Sequence, residues 1–173
     1  MSITKNQVIA VLPQILTQEI REVIQRGVEA GLAFYGEREF HNRSELGDYV
    51  LNIQTRDLYS SICKKLEDTI RESDTVLQAK SQKKTSSAYI EITSPNLVMH
   101  LRNETSSLPL YARDKLEANA RFAADNRNYI QLAYKASNGQ VLEEVSYLVM
   151  NEKEEEIYRE VINGSWNENI LSA

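Results

Sequence analysis

The hydrophobic periodicity of this chain changes along its length, and that change constrains the fold more than any other feature. From Gln14, apolar residues recur every three or four positions, as on one face of a helix. The same spacing continues over residues 58–70. From Ala88, apolar and polar residues alternate instead, which is the pattern of a half-buried strand. A chain with helices first and strands later is typical of the α+β class.

Two hairpins are predicted in the second half, each formed by two alternating segments around residues that favour turns. The four segments are residues 88–93, 97–102, 129–135 and 141–150. We therefore expect a roughly four-stranded antiparallel sheet. Helical patterns over residues 110–125 and 152–162 predict two helices that pack on it.

A polar segment over residues 72–87 follows neither period and is rich in Lys, Ser and Thr, which predicts a linker. The chain has 173 residues, 42% of them hydrophobic and 26% charged, as in an ordinary globular domain. We expect a single compact domain over residues 1–173. Within it, residues 1–71 would form an N-terminal helical lobe and residues 88–173 an α+β lobe.

Two glycines lie on the apolar stripe of the second predicted helix, Gly27 and Gly31. Each costs about 1 kcal/mol relative to alanine inside a helix, so their presence indicates that another backbone approaches closely. That backbone could belong to the same chain or to a second copy. A homo-oligomer through the Gly27/Gly31 helix is therefore one hypothesis.

The charge balance and the single cysteine limit the class of protein. A net charge of −5 argues against a general electrostatic grip on nucleic acid. Cys63 has no second cysteine to pair with and falls in a helical pattern, so we expect a buried thiol. No apolar stretch is long enough to span a membrane. We expect a cytoplasmic protein that does not bind membranes.

The common catalytic and cofactor motifs do not occur in the sequence. There is no glycine-rich phosphate loop, no G-x-G-x-x-G, no H-E-x-x-H and no zinc-like spacing of Cys and His. We therefore expect neither a cofactor nor a metal. An enzyme whose active-site residues are dispersed along the chain remains open.

The outward face of the predicted sheet is the strongest candidate for a functional surface. Alternation places on it a mixture of polar and aromatic side chains, which we predict to bind a partner: Tyr89, Glu91, His100, Arg102, Tyr129 and Gln131. A purely solvated face would carry fewer large side chains, so we expect partial cover by the helical lobe or by a partner. Nine tyrosines against three phenylalanines also favour a contact surface.

Three functions are compatible with these features. The leading hypothesis is a non-enzymatic, regulatory protein-interaction module, such as an inhibitor, an immunity or antitoxin-like protein, or an adaptor. The second is a hydrolase or nuclease that uses Glu91, His100 and Arg102, together with Glu37 and His41. The third is a nucleic-acid-associated regulator, disfavoured by the acidic balance, with these basic residues: Lys80, Lys83, Lys84, Arg113, Arg121 and Arg127.

Overall fold

The computed structural model describes residues 2–37, 58–84, 87–137, 141–164 and 166. The described helices are α1 (Lys5–Ile15), α2 (Gln18–Glu37), α3 (Leu58–Glu72) and α4 (Leu110–Lys115), the last followed by a 3-10 helix over Leu116–Ala120. The strands are β1 (Gln78–Lys84), β2 (Ser87–Ser94), β3 (Leu97–Asn103), β4 (Asn128–Ser137), β5 (Val141–Met150) and β6 (Glu156–Val161). The predicted α+β class is confirmed. No described helix combines the length and apolar character needed to cross a membrane.

The six strands form one mixed sheet in the order β1-β2-β3-β4-β5-β6. The predicted hairpins β2–β3 and β4–β5 are confirmed. The β3–β4 pair is parallel, and α4 and the 3-10 helix lie in the connection between these strands. A parallel neighbour needs such a crossover. The prediction of a four-stranded, wholly antiparallel sheet is therefore wrong in strand number and in this one pairing.

The first additional strand, β1, lies inside the segment that we predicted to be a linker. It pairs with β2 over seven residue pairs, from Gln78↔Thr93 to Lys84↔Ser87. The linker prediction over residues 72–87 is therefore wrong over 78–84. The segment lacks apolar alternation because it forms an edge of the sheet, and none of the side chains described over residues 78–82 is fully buried.

The second additional strand, β6, replaces the helix predicted over residues 152–162. Asn151 Oδ1 accepts hydrogen bonds from the backbone N–H groups of Lys153 and Glu155, at 2.9 and 3.0 Å. Glu154 has a φ of 63°, in the left-handed region. These contacts close a turn that leads β5 directly into β6. The helix predicted over 110–125 is also shorter than expected and ends at Ala120.

Helices α2 and α3 pack closely because of the two glycines. A Cβ atom on Gly31 would lie 2.6 Å from Ile62 Cα, and one on Gly27 would lie 3.1 Å from Leu66 Cα. The close backbone approach indicated by the sequence is thus made within the chain, to α3. Because α3 occupies the glycine stripe, these glycines do not require a second copy of the chain, and a homo-oligomer stays a prediction.

One hydrophobic cluster joins α1, α2 and α3 to the inner face of the sheet. The N-terminal helices are therefore a layer on the sheet rather than a separate lobe, contrary to the predicted sub-lobes. Cys63 is fully buried in this cluster, as expected. The three helices cover one face of the sheet and leave the opposite, outer face to be covered by other parts of the chain.

Candidate binding surface

The outer face of the sheet brings together the six residues that we predicted as a partner-binding site. Glu91 on β2 pairs with His100 on β3, and His100 pairs with Gln131 on β4. Tyr89 and Tyr129 both contact the His100 ring. Their ring centroids lie 5.1 and 5.2 Å from the centroid of His100. The partner-binding role of the six residues stays a prediction.

The segment between β3 and β4 covers this face. Leu108, Ala112 and Leu116 form a second apolar cluster with Val98 and Tyr129 of the sheet. As a result His100, Tyr129 and Gln131 are each only 1% exposed. We expected cover from the helical lobe or from a partner, whereas much of it comes from this connection.

His100 is the centre of a buried hydrogen-bond network. Its Nδ1 lies 2.9 Å from the Tyr129 hydroxyl, and its Nε2 lies 3.3 Å from Glu91 Oε1. A carboxylate can only accept, so the imidazole proton sits on Nε2, and Nδ1 accepts from the Tyr129 hydroxyl. Burial lowers the pKa of His100 below its ordinary value of 6.5. The hydrogen bond from His100 lowers the pKa of Glu91 in turn.

Aromatic rings enclose this network. Tyr89 stacks on Tyr111 of α4, with centroids 3.7 Å apart and planes inclined by 7°. Tyr111 also meets His100 edge-on at 5.1 Å. Tyr59 of α3 forms a hydrogen bond with Tyr111 and so links the inner helical layer to the outer cover. Part of the tyrosine bias in the sequence is therefore used inside the molecule.

Arg102 occupies the other end of the same face. Its Nη1 donates to Gln131 Oε1 at 3.0 Å and contacts Met150 Sδ at 3.8 Å. Its Nε is buried without a hydrogen-bond partner. Both contacts of Nη1 are to neutral groups, and the Glu104 carboxylate acts on Arg102 through space without a hydrogen bond to it.

The arrangement of His100 bears on the enzyme hypothesis. Both of its ring nitrogens are engaged, by Tyr129 and Glu91, and burial keeps the ring away from solvent. The enzyme hypothesis stays a prediction. Of the residues proposed to assist His100, His41 and the side chain of Glu37 lie outside what the structure describes. A partner at this face can reach only Tyr89, Glu91 and Arg102 among the six predicted residues.

A groove that the sequence did not predict runs along β1 and past the β2–β3 turn. A cavity of about 710 Å³ is lined by residues of β1 and β2, including Lys80, Glu91 and Thr93, and by Ile70 and Arg71 at the end of α3. It shares Thr93 and Arg127 with a second cavity of about 400 Å³. The second shares Val76 with a third of about 600 Å³. We call these three adjoining cavities the β1 groove.

The β1 groove is polarised. Three basic residues and one acidic residue line one part of it. Arg71 pairs with Glu67 and Glu91 with Lys115, whereas Lys80 and Arg127 form no ion pair with the described residues. Glu19 and Asp74 line the opposite part, also without ion pairs among those residues. Val76 lies between the two parts, with 55% of its surface exposed. Sequence periodicity does not reveal this groove, because the β1 segment has the polar composition of a linker.

The basic residues proposed to contact nucleic acid do not gather on one surface. Arg113 pairs with Glu154, and Arg121 with Asp125, on the outer cover. Lys80 and Arg127 line the β1 groove. The side chains of Lys83 and Lys84 lie outside the described part of the chain. Within that part, no cluster of His, Cys, Asp or Glu could hold a metal ion.

Comparisons with known proteins provide no relative. No protein-family model matches the chain, and no curated protein or solved structure matches it either. Function must therefore be inferred from the geometry of the described residues.

Proposed function

We propose that the protein is a non-enzymatic interaction module that binds an extended segment of another protein in the β1 groove. Such a protein would act as an inhibitor, an immunity or antitoxin-like protein, or an adaptor. The observation that carries this proposal is the position of β1, an edge strand with a continuous groove beside it.

An edge strand offers hydrogen bonds that an extended peptide can use. In the described part of the chain, β1 pairs with β2 and with no strand on its other side. Alternate backbone N–H and C=O groups of an edge strand point outward and lack strand partners. A peptide that adds to such an edge satisfies these groups, while the flanking groove selects its side chains.

The charges of the β1 groove indicate the kind of segment that would fit. Acidic side chains of the partner would meet Lys80 and Arg127, and basic ones would meet Glu19 and Asp74. Val76 offers an apolar contact between them. Charge complementarity of this kind sets the direction of a bound segment and speeds association. We therefore infer a partner segment with an acidic end and a basic end.

The predicted sheet-face residues contribute through Glu91. It lines the β1 groove, and His100, Gln82 and Lys115 hold it in place at 3.3, 3.2 and 3.7 Å. The buried His100–Tyr129 network would thus keep one wall of the groove rigid. A rigid site loses less conformational entropy when it binds.

Quantitative affinity capture from the native cell tests the proposal. The bait is the wild type, a groove variant with Lys80→Glu and Arg127→Glu, or a control variant with Lys5→Glu and Arg26→Glu. The two variants carry the same change in net charge, and the control residues are exposed outside the groove. We expect wild type and control to retain the same stoichiometric partner, and the groove variant to retain about tenfold less. Equal capture by the groove variant would contradict the proposal.

A further inference from the structure

A separate small pocket lies at the opposite end of the sheet, where β3 leads into the connection to α4. Its volume is about 250 Å³. Four of its lining residues have polar side chains, namely Arg102, Asn103, Ser106 and Ser107, and two are aromatic, Tyr59 and Tyr111. It shares no lining residue with the β1 groove.

Arg102 lines this pocket, and its guanidinium forms no ion pair with a carboxylate of the described residues. Glu104 is the nearest acidic residue along the chain. Both of its carboxylate oxygens accept hydrogen bonds from Arg159, at 2.6 and 2.7 Å. Arg102 itself bonds only the neutral groups of Gln131 and Met150, and its Nε is buried and unpaired. Glu104 therefore acts on Arg102 only through space, and a partly buried guanidinium without a direct ion pair favours an anionic ligand beside it.

The other polar side chains of the lining offer hydrogen-bond donors. Asn103 Oδ1 already accepts from the N–H and the hydroxyl of Thr105, at 3.0 and 2.7 Å, so its Nδ2 remains as a donor. The hydroxyls of Ser106 and Ser107 belong to exposed loop residues. Burial raises the pKa values of Tyr59 and Tyr111, so both hydroxyls keep their protons. No carboxylate is found among the described residues that line the pocket.

We propose that this pocket binds the carboxylate or phosphate group of a small organic anion. Arg102, Asn103 and the two serines hold the oxyanion through charge-assisted hydrogen bonds. The rings of Tyr59 and Tyr111 contact the apolar part of the same ligand. A cavity of this size accommodates a compact molecule rather than a polymer.

Benzoate, phenyl phosphate and neutral benzamide are suitable probes, because they share a ring and differ in the group that Arg102 would meet. Backbone amide shifts in NMR spectra report where each probe binds. We expect saturable shifts in residues 101–111 with at least one of the two anions. The anion that binds more tightly indicates whether the natural ligand carries a carboxylate or a phosphate group. Benzamide should bind about tenfold more weakly or worse, since it lacks the charge. Equal binding of benzamide, shifts confined to other regions, or no saturable binding of either anion would overturn the proposal.

Three variants locate the site. Arg102→Gln removes the charge and should weaken anion binding at least about tenfold. Ser107→Leu places a bulky group in the exposed loop at the pocket and should also weaken it, which keeps the test decisive if the first variant does not fold. Arg113→Gln, on the exposed side of α4, is the control and should bind as the wild type does. Undiminished binding in Ser107→Leu would overturn the proposal. Partner capture through the β1 groove is a separate readout, and its failure would leave this result unaffected.

Discussion

A single buried histidine links the outer face of the sheet to the wall of the β1 groove. His100 accepts from Tyr129 and donates to Glu91, and the Glu91 carboxylate lines the groove. The hydrogen bonds satisfy polar groups that would otherwise be costly to bury. The histidine therefore has a positioning role, and its protonation state should affect the stability of the fold.

Stability should fall on acidification because of His100. Burial lowers the pKa of His100 in the folded protein below 6.5, so the unfolded chain binds this proton more readily. The contribution of His100 is thus fully present above pH 6.5 and is lost as pH falls below it. Glu91, whose pKa is also lowered, adds a loss of the same sign at more acidic pH. Urea unfolding at several pH values between 7.5 and 5.5 measures this loss.

The variant His100→Gln keeps a neutral polar side chain and cannot titrate. Its free energy of unfolding should change less between pH 7.5 and 5.5 than that of the wild type. His41 is common to both proteins and cancels in the comparison. Parallel pH profiles would show that His100 titrates alike in the folded and unfolded states, contrary to its buried position.

Sequence periodicity placed the six outer-face residues on one side of the sheet, but it did not predict their burial. Alternation is a local property of each strand, and it fixes only the face to which a side chain points. Burial of His100 and Gln131 depends on where the connection between β3 and β4 packs. That position is set by contacts between residues distant in sequence, such as Asn119 with Met150.

Among the elements, the 3-10 helix after α4 depends on one asparagine for its attachment to the sheet. Asn119 Nδ2 donates to the carbonyl groups of Tyr129 and Met150, both at 2.8 Å, and its Oδ1 accepts from the Tyr129 N–H at 2.9 Å. Its side chain is fully buried. This residue ties the outer cover to β4 and β5 simultaneously.

Replacement of Asn119 by alanine should lower the free energy of unfolding by about 3 kcal/mol, because buried backbone groups lose their partners. Glu117→Ala, at an exposed position of the same 3-10 helix, should change it by less than about 0.5 kcal/mol. Chemical denaturation of both variants measures the difference. A loss in Asn119→Ala no larger than in the control would mean that the cover is held in some other way.

The pair α2–α3 depends on the absence of a side chain at Gly31. An added Cβ would lie 2.6 Å from Ile62 Cα, a backbone atom that can move only with its helix. We expect Gly31→Ala to destabilise the protein by about 2 kcal/mol, although alanine favours helix formation. The exposed change Arg26→Ala on the same helix should be nearly neutral. Thermal unfolding measures both, and a stabilised Gly31→Ala protein would contradict the close packing.

The elements that sequence patterns predicted correctly are those with strong periodicity, such as the two hairpins and the N-terminal helices. The failures, β1 and β6, are the two edge strands. An edge strand is solvated along one side, so its sequence need not alternate, and in β6 the charged residues favoured a helical interpretation. The turn at Asn151 was the available signal for β6, since asparagine commonly closes such turns.

At the scale of the whole molecule, the helical layer covers one face of the sheet and the β3–β4 connection covers part of the other. The β1 groove and the pocket at Arg102 lie at opposite ends of the strands. We propose a polypeptide for the first and a small organic anion for the second. Neither follows from sequence patterns, because each combines residues from at least three segments.

Hydrogen exchange of the β1 amides, with and without the captured partner, tests the central claim most directly. In the free protein the amides of residues 78–84 that point away from β2 should exchange rapidly. In the complex their exchange should slow by about tenfold or more, because the added segment accepts their hydrogen bonds. The amides of β6, the opposite edge, serve as the internal control and should not change. Protection of β6 or of the outer cover, with β1 unchanged, would contradict binding along the β1 groove.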